Sequence, residues 1–158
     1  ILRHEGQACQ LDIVGSGSSS VYTLLNRLAC QLDVANQIHW LGMVPFGPRL
    51  FKVYQDADVF VLPTYSEGFP HVIWEAAANC CPVITTSTGG IPALWTHEKH
   101  GLLIGPRDTA ALVSAIKRLL SDSNLRSRLV HQAYTHATKF TVENCAMALA
   151  TTLGGTWA

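Results

Sequence analysis

A chain of 158 residues is long enough to bury one core, and its formal net charge of zero removes the electrostatic case for a nucleic-acid partner. Hydrophobic residues reach 48% and charged ones only 14%, an apolar balance that suits a domain with part of its surface covered by a partner domain. No run of 18 apolar residues and no secretory leader pattern occurs, so neither a membrane-spanning helix nor a signal peptide is expected within these residues.

In chain order, a β-branched run predicts a strand near 10–14, closed by Gly15-Ser16-Gly17. A helix near 18–32 follows. Gly15-x-Gly17 has Ser20 where a dinucleotide fingerprint needs its third glycine, and no acid ends a following strand, so a plain tight turn outweighs NAD binding. The pattern then predicts a strand near 37–41, a helix near 47–56 and a strand near 58–62. After the segment Glu67 to Pro70 come a helix near 71–79, a strand near 82–86, a helix near 90–95 and a strand near 102–104. Helices near 108–121 and 123–138 and a last one from Thr141 complete the order. Such alternation predicts an α/β fold with a Rossmann-like parallel sheet and helices on both faces. No internal repeat, low-complexity tract or linker interrupts it.

Three other features are assigned to structure. His97-Glu98-Lys99-His100 is one residue short of the zinc-protease pattern and precedes Gly101, which predicts a surface turn. The five cysteines are odd in number and lack a Cys-x-x-Cys, which predicts reduced thiols in a cytosolic setting, with adjacent Cys80 and Cys81 as packing residues. Lys117, Arg118, Arg126 and Arg128 in the late helices are expected on a solvated helix face.

The segment Glu67-Gly68-Phe69-Pro70-His71-Val72-Ile73-Trp74-Glu75 carries the chemistry. It follows the strand Asp58 to Leu62 and leads into Ala76-Ala77-Ala78, a helix-favouring run without bulk. A strand, a glycine-bearing turn and a helix start form the layout α/β proteins use to hold a phosphate. Pro70 is expected as the first helical residue, where its missing N–H costs nothing. The N–H groups of His71 and Val72 would then point out of the helix end, toward an anion. Glu75 lies five residues on, about 7.5 Å along the axis. That separation suits a diphosphate at the tip and a ribose at Glu75, since a carboxylate accepts two hydrogen bonds from a vicinal diol. Glu67 would face the other end of the ligand. His71 is open to two readings, a phosphate contact or an exposed helix-start residue.

These residues resemble the paired-glutamate signature of retaining, nucleotide-sugar-dependent glycosyltransferases of the GT-B fold, notably family 4. The resemblance extends in register through Leu11 to Gly17, Ile38 to Val44, Cys81 to Thr86, Gly89-Gly90-Ile91-Pro92 and Gly101 to Ile104. It implies the donor-binding, C-terminal half of such an enzyme, moving a sugar from a UDP-, GDP- or ADP-sugar to an acceptor in polysaccharide or glycoconjugate biosynthesis. By resemblance, Glu67 is catalytic, contacting donor-sugar hydroxyls near the reacting carbon, and Glu75 binds the ribose. Gly68, Phe69, Pro70, His71 and Val72 cradle the diphosphate and sugar. Gly15 and Gly17 belong to the donor-domain glycine loop, and the backbone of Gly42, Met43 and Val44 lines the base. No metal or cofactor is implied. A cytoplasmic location is implied, with peripheral association of the full-length enzyme at the inner face of the membrane compatible with it.

Departures from the pattern set the limits. The family's basic phosphate-binding pair on an earlier strand is not in this sequence, Arg3 is not a convincing substitute, and the acceptor domain is missing, so the expectation is an N-terminally truncated donor domain, inactive alone. Cys80 replaces a glycine after the helix, a position often needing positive φ, which Asn79 is expected to take over unless the turn is reshaped. Ala93 and Trp95 replace an acid and a small aliphatic residue, which points to an altered sugar pocket or weak activity. The alternatives are a non-catalytic nucleotide-binding module and a GT-B nucleotide-sugar epimerase.

Overall fold

The computed structural model describes residues 1–2 and 6–152. Arg3 lies outside the described residues. The elements run β1 (Leu11–Val14), α1 (Ser19–Gln31), β2 (Ile38–Gly42), α2 (Pro48–Asp56), β3 (Phe60–Leu62), α3 (His71–Ala78), β4 (Val83–Thr86), α4 (Ile91–Leu94), β5 (Leu102–Ile104), α5 (Thr109–Ser121), α6 (Ser123–Ala137) and α7 (Val142–Thr152). A 3-10 turn over Ala35–Gln37, which the sequence pattern did not signal, precedes β2. The fold is α/β with parallel strands, as expected. The strands pair in two ladders, β1-β2 and β3-β4-β5. The chain divides into two compact units, residues 1–50 and 51–158.

In the first unit β1 and β2 pair in parallel from Leu11 opposite Ile38 to Ile13 opposite Trp40, after which Val14 faces Gly42. Leu41 is therefore an extra residue in a bulge. Positive φ at Gly15 (123°) and Gly42 (65°) lets the chain turn there. The Gly15 N–H then donates to the Gly42 carbonyl at 2.8 Å. Ser18 starts α1 by accepting the Val21 N–H. Trp40 of β2 donates to Asn26 of α1 at 3.1 Å and packs on Tyr22. Val21, Leu24, Leu25 and Leu28 of α1 are exposed.

In the second unit β4 is central, and all four of its residues are buried, the signature of a strand covered on both faces. Ile84 and Leu102 pack against Ala115 and Leu119 of α5 and Leu125 and Leu129 of α6. Leu125, Leu129 and Ala133 recur at four-residue spacing, which puts them on one stripe of α6. Asp108 and Asp122 cap α5 and α6 by accepting N–H groups three residues on, from Ala111 and Leu125. The apolar residues Val142, Met147 and Leu149 of α7 are exposed.

Two structural assignments need correction. His100 is not on the surface: it is only 6% exposed and stacks on His136 with ring centroids 4.0 Å apart. The turn reverses at Gly101, whose missing Cβ leaves room for the Val83 carbonyl and the Trp95 ring, and so draws His100 inward. Of the cysteine pair only Cys81 is buried; Cys80 is exposed. Cys80 also takes the left-handed conformation itself, with φ 58°, while Asn79 keeps φ −97°. The Cys81 N–H bonds the Ala76 carbonyl at 2.9 Å and the Cys80 N–H that of Ala77 at 3.1 Å. These two bonds are the Schellman pattern of a helix end, and the pattern puts its positive φ at the position of Cys80.

Candidate functional site

Parallel strands of an α/β sheet present their carboxyl ends to ligands. In the second unit the loops after β3, β4 and β5 share that edge. Buried threonines of β4 fasten the first of them. Thr85 donates its hydroxyl to the Leu62 carbonyl at 3.2 Å and Thr86 donates to the Thr64 carbonyl at 2.7 Å. Both hydroxyls are thereby satisfied, which their burial requires.

The segment with Glu67 is gripped from the next turn. The Gly90 N–H donates to the Glu67 carbonyl at 3.2 Å. A Cβ on Gly89 would lie 1.8 Å from the Glu67 carbonyl oxygen, and one on Gly90 would lie 2.3 Å from that of Gly68. Only glycine admits this approach. Gly89 additionally has φ 54°. Glu67 itself is half-buried. The structure thus brings Glu67, Gly68, Gly89 and Gly90 into one packed corner.

Helix α3 follows directly. Pro70 has φ −72° and ψ 102°, so it is the cap before the helix and not its first residue, a correction of one position. Its extended ψ lets the chain enter from the loop, and the Ile73 N–H reaches back to the Pro70 carbonyl at 3.3 Å. His71 and Val72 become the first two helical residues, whose N–H groups have no intrahelical acceptor. His71 is exposed and its ring meets Phe69 edge-on at 5.2 Å, while Phe69 stacks on Trp74 at 5.7 Å. Trp74 touches Trp95, His136 and Phe140, which anchors the helix start to α6. Trp95, expected to alter a sugar pocket, is instead fully buried in that aromatic cluster, and Ala93 is exposed.

Glu75 is half-buried on α3, and Tyr54 of α2 donates its hydroxyl to Glu75 Oε2 at 3.0 Å. Burial, and then the nearby Glu75 charge, raises the Tyr54 hydroxyl well above the usual phenol range, so it stays a donor. Gln55 donates to Asn79 Oδ1 at 3.1 Å, and Asn79 Nδ2 donates to the Glu75 carbonyl at 2.9 Å. Tyr54, Thr86 and the Gly89–Glu67 approach are the parts that sequence reasoning missed. Two adjacent threonines inside an otherwise apolar strand were the one available signal.

Gly15, Gly17, Gly42, Met43 and Val44 lie in the first unit. Gly15 and Gly42 meet at the bulge; Gly17 stands exposed just before α1. Met43 is 72% exposed, whereas Val44 is buried. Among the described residues no three His, Cys, Asp or Glu side chains converge on a metal-sized site. No helix among them is long and apolar enough to cross a membrane.

Comparison with known proteins identifies the family and the fold. Residues 1–136 match the family described as glycosyl transferases group 1. The chain is 34% identical over 150 residues to the D-inositol 3-phosphate glycosyltransferase of Corynebacterium jeikeium, covering 93% of this chain and 36% of that protein. It is 36% identical over 129 residues to the uncharacterized glycosyltransferase MJ1607 of Methanocaldococcus jannaschii, covering 82% and 32%. The chain therefore spans about a third of the length of these relatives. Among solved structures, the sucrose-phosphate synthase of Thermosynechococcus elongatus superposes with a TM-score of 0.80 at 27% identity, covering 91% of this chain and 37% of that one. The Anabaena protein HepE, solved in complex with UDP, superposes with a TM-score of 0.83 at 24% identity, covering 92% and 41%, a likeness of fold. The chain belongs to the group 1 glycosyl transferases and has the GT-B type of fold.

Proposed function

We propose that this chain is the donor-binding half of a retaining glycosyltransferase of the family 4 type, taking a nucleoside-diphosphate sugar and delivering the sugar to an acceptor held by the rest of the protein. The observation that carries the reading is the pair of acids fixed on either side of one helix start: Glu67 by its carbonyl against Gly89 and Gly90, Glu75 by its carboxylate against Tyr54.

In such a transfer the bond from the anomeric carbon to the diphosphate oxygen breaks, and the acceptor oxygen bonds that carbon and gives up its proton to the departing diphosphate. Positive charge grows on the carbon and negative charge on the leaving diphosphate. The N–H groups of His71 and Val72, backed by the helix dipole, answer the diphosphate charge. Glu67 stands at the sugar end, where a carboxylate orders hydroxyls near the anomeric carbon. Glu75 receives the ribose diol. The reading calls for no metal, because the helix-end donors supply part of what the developing charge requires. The D-inositol 3-phosphate glycosyltransferases and the sucrose-phosphate synthase bear names that fit sugar transfer.

The test is nucleotide binding to the full-length protein by ligand-observed NMR, with UDP, GDP, ADP and NAD, on wild type and Glu75→Gln. One nucleoside diphosphate should bind through its ribose and lose about tenfold or more in affinity on substitution, since a charge-assisted bond becomes neutral. Binding of none, or of NAD alone, overturns the reading.

A further inference from the structure

We propose that Tyr54 is a positioning residue for Glu75: by holding Oε2 it fixes the plane of the carboxylate toward the ribose diol and sets how sharply the site distinguishes a ribonucleotide from its 2′-deoxy form. The proposal rests on the donor-site reading above.

The geometry is specific about who does what. A phenol O–H beside an ionised carboxylate has one sense of donation, from Tyr54 Oη to Glu75 Oε2 at 3.0 Å. Tyr54 is a stiff arm. The residue is 7% exposed and its ring meets Phe60 edge-on at 5.6 Å, which restrains the hydroxyl. The neighbouring Gln55 reaches the other end of the same residue, through Asn79 to the Glu75 carbonyl. Helix α2 therefore holds Glu75 by both its side chain and its main chain.

A buried tyrosine needs an acceptor, and a main-chain carbonyl would serve without desolvating a charge. Here the acceptor is a half-buried carboxylate with roughly four acceptor positions, of which this bond takes one. Capacity for both hydroxyls of a vicinal diol remains, and they meet a carboxylate already set in one orientation. A free glutamate would lose side-chain rotamer entropy on binding. A glutamate ordered in advance by Tyr54 does not.

The variant is Tyr54→Phe, which removes one oxygen and keeps the ring. In the full-length protein, dissociation constants are measured for whichever of UDP, GDP and ADP binds and for its 2′-deoxy counterpart, on wild type, Tyr54→Phe, Glu75→Gln and the double variant. Thermal melting confirms that each is folded. Wild type should bind the ribo form about tenfold or more tighter than the deoxy form, the worth of a bond to a charged group. Tyr54→Phe should weaken the ribo form about fivefold and the deoxy form, which keeps one of the two hydroxyls, about twofold, so the ratio falls toward about four. The Glu75→Gln penalty should shrink in the Tyr54→Phe background, since coupled residues are non-additive. Equal weakening of both nucleotides, or no change in either, with Glu75→Gln still damaging, overturns the role of Tyr54 and leaves the donor site standing. Nucleotide binding indifferent to Glu75→Gln, or no binding by wild type, overturns the donor site and the Tyr54 role with it.

Discussion

Gly89 packs so closely against Glu67 that a Cβ there would lie 1.8 Å from the Glu67 carbonyl oxygen, and its backbone has φ 54° besides. Gly89→Ala must therefore displace the loop that carries the first acid. The expected cost is about 2–4 kcal/mol of stability, from a clash with main chain added to left-handed strain. Urea unfolding measures it. Gly68→Ala is the control: a Cβ there meets nothing within 4 Å, so its midpoint should move little. Equal effects from the two would mean that the corner is not a packed unit.

The end of α3 should be improvable. Cys80 holds φ 58° with a Cβ, in a position where glycine has no steric penalty. Cys80→Gly is expected to stabilise the protein by about 1 kcal/mol, the left-handed strain relieved less the extra entropy lost by glycine. Cys80 is exposed, so no packing is lost to offset the gain. Thermal melting reads it as a rise in Tm. A fall would show that the thiol makes a contact worth more than the strain.

Glu67 and Glu75 should separate kinetically. If Glu67 acts on the sugar as bonds change, Glu67→Gln lowers kcat on the order of a hundredfold, with donor KM within about threefold. Glu75→Gln, a ribose contact present before and during transfer, should instead act mainly on donor KM. Initial rates with the full-length enzyme and its donor decide this. A reversed pattern would exchange the two roles.

The two acids were legible because their signal is contiguous: strand, loop, proline and helix start lie within eighteen residues, and each constrains the next. Element order was legible for a similar reason, since hydrophobic period and caps such as Asp108 and Asp122 act within a turn or two. What holds the acids was not. Tyr54 lies 21 residues from Glu75, and Thr86 lies 22 from Thr64. Neither pairing leaves a local pattern. The one-residue error at Pro70 has a local cause: a proline suits both the cap and the first helical position, and only its ψ of 102° separates them. His100 was misjudged because three polar neighbours made the stretch look like an exposed turn. Its burial depends on distant His136 and on the room left by Gly101.

That buried imidazole makes stability depend on pH in a definite direction. Burial first, then the proximity of His136, Lys99 and Lys139, pushes the pKa of His100 down to about 4, against about 6.5 in an unfolded chain. Its Nδ1 accepts the Thr96 N–H at 3.2 Å, a bond that protonation at that atom would break. Between pH 6.5 and 4 the unfolded state therefore binds more protons than the folded one, and stability falls as pH falls. The contribution is complete above about pH 6.5 and is lost on approaching pH 4. One proton sets a limiting slope of about 1.4 kcal/mol per pH unit, and a total of about 2 kcal/mol is expected after allowance for solvent screening. His100→Asn keeps an acceptor near the Nδ1 position but cannot take up the proton. Urea unfolding at pH 7.5, 6, 5 and 4.5 should then show a shallower decline for the variant than for wild type. Parallel declines would assign the acid sensitivity to other groups and leave His100 a packing residue alone.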